Sequence, residues 1–277
     1  MSLSQKPEIL PFPSVSKEDF RSLFTRALCE NDEALERYCT QEICDRFFLL
    51  TDEMLRVNAY MNITAITSLH GILVKHYADC ALLAPLLPEH ASLCDIGCGG
   101  GFPSLPIAIL RSDISVTAVD STKKKLDYVA ETASLLGLSN LKVKNARAET
   151  LGVQSEYREA FDVVTARAVA AMNILCEWCL PLVRKGGSFL AMKGRNGEEE
   201  LHAAQNAVSV LGGKTRFCRT YLLKDPFSGE QEPDPTQGSN EQVGTEAMRR
   251  CIISVYKQSP TPKQYPRSNA QISKKPL

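Results

Sequence analysis

Three glycines on alternate positions, Gly97, Gly99 and Gly101, lie between one acid, Asp95, and a second, Asp120. Glycine at every second residue makes a loop that turns tightly and leaves bare backbone for a ligand to lie against. Asp120 follows about 20 residues on, the separation at which a carboxylate accepts hydrogen bonds from both hydroxyls of a ribose. The pair describes a site for a nucleoside-containing ligand. The spacing is not the Gly-x-Gly-x-x-Gly that seats a dinucleotide pyrophosphate on a helix N-terminus. An acid just before the loop suits a ligand with a cationic amino-acid end. S-Adenosylmethionine is such a ligand, and these residues favour it over NAD.

The elements that must position this loop are legible around it. Residues 92–96 are short and apolar and read as a buried strand; 104–110 turn apolar again and read as a helix, with Pro103 and Pro106 near its start. A second strand over 114–120 ends in Asp120. Leu126, Val129, Ala130, Ala133 and Leu136 mark one face of a helix closed by Gly137, with three lysines at its start. Further strands are expected at 141–145, 161–165, 188–192, 215–223 and 251–256, with helices at 171–183 and 198–211. Residues 146–149 read as a loop. Repeated strand–helix units ending in two strands with a long loop between them predict a doubly wound, mostly parallel sheet with an antiparallel hairpin at one edge.

Ahead of this unit the pattern is helical from 17 to 58, carried by Phe20, Phe24, Leu28, Phe47, Leu50, Met54 and Val57. A short link at 62–67 leads to a helix expected over 69–87, which contains His76. The expected organisation is a loose arm (1–15), a helical cap (16–67), a main domain (68–257, with a mobile loop at 224–245) and a basic C-terminal tail (258–277). The tail carries Lys263, Arg267, Lys274 and Lys275 with Tyr265 and no acid, which suits either a loose end or an arm that meets RNA phosphate.

Composition sets the bounds. The 277 residues are 44% hydrophobic and 23% charged, with zero formal net charge, as in ordinary globular proteins. No apolar run is long enough to span a bilayer, and the N-terminus lacks the apolar stretch of a signal peptide. Ten cysteines without such a peptide suggest a reduced, cytoplasmic chain. Cys176 and Cys179 form a Cys-x-x-Cys inside an expected helix with no second pair nearby, so no metal site is expected. No membrane partner is expected, and the chain is expected to be a monomer.

Many segments in order resemble the RsmG (GidB) methyltransferases: CDIGCGGGFPSLP at 94–106, NITAIT at 62–67, KHYAD at 75–79 and VDSTKKK at 119–125. ARAE at 146–149, FDVVTARAVA at 161–170, AMKG at 191–194, and YPR and KPL at 265–267 and 275–277 are similar too. The resemblance implies a class I (Rossmann-like) methyltransferase fold, S-adenosylmethionine as donor, and N7 of a guanine in 16S rRNA of the small ribosomal subunit as acceptor. Carried over by motif, Gly97 and Phe102 frame the cofactor, Asp120 holds the ribose, Ala148 and Glu149 lie on the adenine side, and Arg167 meets the methionine end or the entering base. Two departures, a longer 224–245 segment and a Gly-poor ending at 268–271, fall away from the donor site.

Guanine N7 has a lone pair and no proton, so its attack on a sulfonium methyl needs alignment and dryness rather than a general base. Strand four is followed by Thr-Ala-Arg-Ala, not by the Asn/Asp-Pro-Pro-aromatic run used on exocyclic amines. Arg167 and Lys193, both at expected strand ends, are the candidate catalytic contacts to guanine or its phosphate. Two rival readings are a small-molecule methyltransferase and a non-catalytic RNA-binding assembly factor. The basic tail speaks against the first, and the glycine loop with Asp120 against the second.

Overall fold

The computed structural model describes residues 15–230 and 248–277. Nearly all of the arm at 1–15 and most of the loop at 224–245 therefore lie outside the described residues.

The chain enters through two capped helices. Ser16 accepts a hydrogen bond from the Asp19 amide at the start of α1 (Lys17–Cys29), and Thr40 accepts one from Ile43 at the start of α2 (Gln41–Met61). Both bury an aromatic face: the Phe24 and Phe47 rings lie 4.7 Å apart, and Tyr77 lies 4.7 Å from Phe47. The Tyr77 hydroxyl is wholly buried there and is satisfied by Thr51 at 2.8 Å, which itself donates to the Phe47 carbonyl. Asn62, in the left-handed region at φ +51°, ends α2.

The helix expected over 69–87 is less regular than its periodicity suggests. It consists of α3 (Leu69–Gly71), a π-helical stretch Ile72–Ala78, α4 (Asp79–Ala81) and a separate 3-10 turn Ala84–Leu86. A π stretch is costly in an ordinary helix and often marks a functional site. Here it carries Lys75 and His76.

Then come β1 (Ser92–Ile96), α5 (Ser104–Leu110), β2 (Ser115–Asp120), α6 (Lys123–Leu135), β3 (Leu141–Asn145), α7 (Ala148–Leu151) and β4 (Phe161–Arg167). After them follow α8 (Met172–Cys179), β5 (Val183–Lys193), α9 (Gly197–Ala203), α10 (Gln205–Val210), β6 (Gly213–Leu223), β7 (Met248–Lys257) and α11 (Asn269–Lys274). The seven strands form one sheet in the order β3-β2-β1-β4-β5-β7-β6. β1 to β5 run parallel, and β7 pairs antiparallel with both β5 and β6. This is the mostly parallel sheet with an antiparallel edge that the strand–helix pattern predicts. Periodicity alone does not show that the last strand inserts between the two before it. Three local expectations change: 146–149 is partly helical, the helix expected over 171–183 stops at Cys179, and the one over 198–211 breaks at Ala204.

Strand order reverses between β1 and β4, where Asp95 pairs in register with Thr165. The crevice at the carboxyl ends of these strands is the binding position of an open α/β sheet. Each face of the sheet has its own core. One includes the cap residues Phe20, Phe24 and Phe47 together with Leu105 and Val129, so the cap is continuous with the main domain's interior. The other includes Cys94, Val164, Met172, Cys176 and Cys179. The exposed edge β6 presents Lys214, Arg216 and Arg219, charges that discourage edge-to-edge pairing.

The reading of 258–277 as a loose end is corrected, while Lys263, Lys274 and Lys275 stay exposed. Arg267 donates from its backbone and side chain to Glu177 at 2.8, 2.8 and 2.6 Å, and Glu177 is fully buried in α8. Ile272 is buried, and Leu277 packs on the second core. Lys257, also fully buried, donates to the carbonyls of Leu180 and Leu211. The basic residues of the tail thus include an internal latch, because a buried carboxylate needs a partner.

Candidate functional site

The glycine loop is held from two sides. The amides of Gly97 and Cys98 donate to the Val119 carbonyl at 2.9 and 3.0 Å. Asp120 accepts from the Gly99 amide at 3.0 Å and from the Thr122 amide at 2.8 Å. One carboxylate therefore joins the loops after β1 and β2 and still has lone pairs for two hydroxyls. Gly97 sits at φ +71°, and a Cβ there would come within 2.8 Å of Val169. Only bare backbone fits at that point, as a ligand lying flat on the loop requires.

These surroundings form a cavity of about 170 Å³ at the carboxyl ends of β1, β2 and β4. Among the residues expected to bind the cofactor, Gly97, Asp120, Ala148 and Glu149 line it. Asp95, Gly99, Gly101, Phe102 and Arg167 do not. Asp95 is sealed beneath the loop, where both the amide and the hydroxyl of Ser104 donate to it at the start of α5. Burial pushes its carboxyl up to about 7, against the pull of the Ser104 hydrogen bonds. Its Oδ2 takes both Ser104 hydrogen bonds and so ties the end of β1 to the start of α5 beneath the loop.

Phe102 and Arg167 belong to a second, adjoining cluster between the cap and the sheet. His76 stacks on Phe102 with ring centroids 4.4 Å apart and planes 15° apart. The Arg167 guanidinium lies over the same ring, 5.9 Å from its centroid. It meets His76 Nδ1 at 2.8 Å and donates to Asp79 at 3.0 Å and to the Lys75 carbonyl at 3.2 Å. Arginine has no acceptor, so His76 Nδ1 accepts and Nε2 carries the proton toward Thr64, 2.9 Å away. Tyr221 from β6 donates to the other oxygen of Asp79 at 3.1 Å, and Arg250 from β7 stands 3.9 Å from it. This network joins the link at 62–67, the π stretch, β4 and the edge hairpin.

Burial and the neighbouring Arg167 charge push His76 down to about 3. Free histidine titrates near 6.5, so below that pH the unfolded chain takes up a proton that folded His76 refuses. Its contribution to stability is complete above about 6.5 and falls as pH drops toward about 3. At pH 5 the loss is about 2 kcal/mol relative to pH 7. Urea unfolding of the wild type and of His76→Gln at the two pH values measures it. The wild type is expected to lose about that much more than the variant; equal losses would mean that His76 titrates normally.

Lys193, expected as a contact to guanine or its phosphate, is paired within the protein. Its ammonium meets Glu200 at 2.6 Å and the Ala170 carbonyl at 2.8 Å, and Glu200 accepts from the Met172 amide at 2.9 Å. Lys193 and Glu200 together brace the segment after β4, where Ala168 holds a left-handed φ of +54° and Val169 covers Gly97. Val169, next to that strained residue, lines the cavity. Of the three lysines opening α6, Lys123 pairs with Asp127 at 2.9 Å on the surface.

Residue types and spacing did not single out Thr64, Asp79, Tyr221 or Arg250 individually, nor Trp178 and Asn269, which also line the cavity. Asp79 lies inside the KHYAD segment, where an acid on an otherwise apolar helix is the available signal. Arg250 precedes the apolar run of β7. Trp178 and Asn269 carry no signal beyond their types.

Residues 43–226 match the family described as GidB, rRNA small subunit methyltransferase G. The chain belongs to this family. It is 42% identical over 229 residues to the Ribosomal RNA small subunit methyltransferase G of Lactobacillus delbrueckii subsp. bulgaricus, covering 81% of this chain and 87% of that protein. The protein of the same name from Oceanobacillus iheyensis is 37% identical over 256 residues, covering 92% and 98% of the two chains. That from Staphylococcus aureus is 40% identical over 224 residues, covering 79% and 84%. The rRNA small subunit methyltransferase G match covers the glycine loop, Asp120, Arg167 and β6, but stops before Arg250, the rest of β7 and the latched tail.

Proposed function

We propose that this chain transfers a methyl group from S-adenosylmethionine to N7 of a guanine in 16S rRNA of the small ribosomal subunit. The observation that carries this reading is the cavity in which Asp120 joins the glycine loop to the end of β2, in a chain of the rRNA small subunit methyltransferase G family. The donor supplies an electrophilic methyl on a sulfonium, open to in-line displacement by a lone pair. The chain's work is then to hold, orient and exclude water. Gly97 offers backbone, Asp120 accepts from the ribose, and Ala148 and Glu149 flank the base. Arg167 acts from within its cluster, holding Phe102 and His76 at the edge of the loop, and Lys193 braces the segment after β4.

Exposed Arg195 and Arg249 stand at the same sheet end, just past the register pair Lys193–Cys251, and suit RNA phosphate. A Hoogsteen-edge target must be unstacked or in a loop to be reached. No helix among the described residues is long and apolar enough to cross a membrane. A cytoplasmic, monomeric enzyme acting on ribosomal RNA is the reading we adopt.

The test is methyl transfer from labelled donor to small-subunit rRNA, free and in subunits, with nucleoside analysis. Label in 7-methylguanosine supports the proposal. Label in another nucleoside overturns the N7 assignment, and no label from protein shown to bind donor overturns the RNA substrate. Asp120→Ala is expected to weaken binding of S-adenosylhomocysteine roughly 30-fold or more, because two hydrogen bonds to a charged acceptor are lost. Calorimetric titration measures this, and an unchanged affinity would remove Asp120 from the ribose.

A further inference from the structure

A larger hollow lies at the opposite end of the sheet from the donor cavity. It encloses about 550 Å³ between residues 86–91 and the starts of β4 and β5, and Val163, Leu190 and Ser254 are part of its lining. The strands β1 to β5 run parallel, so this is the amino end of the sheet. Ser188 on its wall and Lys193 at the other end of β5 are about 17 Å apart at the rise of a strand. A second hollow of about 440 Å³ adjoins it, and Arg216 and Tyr256 line both.

The edge strand is irregular at this point. The register between β6 and β7 shifts between Thr215 and Phe217, which leaves Arg216 without a partner on β7. Successive residues of a regular strand face opposite sides of a sheet, yet Arg216 and Phe217 both line the larger hollow. A bulge re-aims side chains in this way. Tyr256, paired in register with Lys214, has 39% of its surface exposed. Lys214 and Arg216 are exposed and make no hydrogen bond or ion pair among the described residues. Arg184 differs, because it is spent on Asp162 at 2.6 Å; Glu89 and His90 belong to the opposite wall. Cations anywhere along β6 would guard the edge against pairing. A guard needs neither a hollow nor an exposed tyrosine beside it.

We propose that this hollow takes an unpaired nucleotide of the RNA substrate, remote from the base that receives the methyl group. Lys214 and Arg216 meet phosphate, and the base stacks on the Tyr256 ring. Two uncommitted cations beside an aromatic face are the combination that holds single-stranded RNA, and stacking accepts any base. Ser188 and Ser254 add hydroxyls to the lining, which can donate or accept. The inference rests on the RNA reading above and adds a second contact to it. A ribosomal RNA is long enough to touch both ends of the sheet at once, so the site anchors the substrate while the donor end does the chemistry.

Two assays on the full-length protein test this. Oligouridylate, which has no guanine to methylate, is titrated by fluorescence anisotropy at several salt concentrations. Labelled methyl transfer is measured on small-subunit rRNA, free and in subunits. The double variant Lys214→Ala with Arg216→Ala should bind oligouridylate about tenfold more weakly, with the slope of log affinity against log salt reduced by about 1. Tyr256→Ala should lose about tenfold with its salt slope kept, and Tyr256→Phe, which keeps a ring, should stay within about twofold of the wild type. On rRNA the double variant and Tyr256→Ala should raise KM several-fold and leave kcat in place. Melting and S-adenosylhomocysteine affinity, both unchanged, show that fold and donor site are intact. A loss in the double variant with none in Tyr256→Ala would mean diffuse attraction to a basic edge and overturn the nucleotide site. A raised KM on subunits alone, with oligouridylate and free rRNA unaffected, would assign the surface to a ribosomal protein and overturn RNA as its occupant. Unchanged binding and KM in every variant, with the wild type still methylating rRNA, would overturn the inference and leave the proposed function standing. No methylation of rRNA by the wild type would overturn both.

Discussion

Replacing Arg167 by alanine is expected to cost about 3–5 kcal/mol of stability and to bring methyl transfer close to background. The stability loss follows from what stays behind. Asp79 has only 7% of its side chain exposed, and without Arg167 its remaining cation is Arg250 at 3.9 Å. Breaking a buried pair by removing one member leaves an uncompensated charge, and losses of about this size result. His76 also loses the donor on Nδ1, and its ring is then free to leave Phe102. Activity falls because Phe102 and the cofactor loop lose their support, and small displacements at a reacting centre are costly. Denaturant unfolding measures the first effect and labelled methyl transfer the second. Arg167→Lys should rescue little, since one ammonium cannot serve His76, Asp79 and the Lys75 carbonyl together. The double variant Arg167→Met with Asp79→Leu should recover much of the stability and none of the activity. Recovery of both would mean that the cluster matters only for folding.

Arg267→Ala is expected to cost a similar amount, about 3–5 kcal/mol, and to release the C-terminal segment. Glu177 is fully buried and takes two of its three hydrogen bonds from that guanidinium. The same side chain donates to the Lys275 carbonyl at 3.1 Å, so its loss frees the segment at both ends of α11. Limited digestion with trypsin should cut after Lys263 and Lys274 in the variant and spare both in the wild type. Glu177→Gln, which keeps the shape and removes the charge, should cost distinctly less. Equal resistance to protease in wild type and Arg267→Ala would show that apolar contacts of Ile272 and Leu277 suffice to hold the tail.

Local pattern was enough for the glycine loop, Asp120 and the order of strands and helices. Each of these depends on neighbours in sequence: a tight turn needs glycine where φ is positive, and a buried parallel strand shows as an unbroken apolar run. Gly97 and Asp120 line the cavity for that reason, and Ala148 and Glu149, carried over from the family resemblance, lie beside them. Arg167 and Lys193 were legible as cations at strand ends, but not their partners. Arg167 turns into the cap, and Lys193 turns to Glu200. A charge near a site is read from sequence as available, and only packing shows that burial has already committed it. The tail illustrates the same point: its basic composition suggested solvent or RNA, yet Arg267 answers a carboxylate 90 residues earlier.

By itself the sequence determined the fold class and the glycine loop, because local conformational preference and side-chain periodicity carry that information, and its run of motifs determined the family. Only the tertiary structure decided which polar groups are free. Insertion of β7 beside β5 brings Arg250 to Asp79, and docking of the C-terminal segment on α8 brings Arg267 to Glu177. Both are contacts between residues far apart in the chain, and they form only in three dimensions.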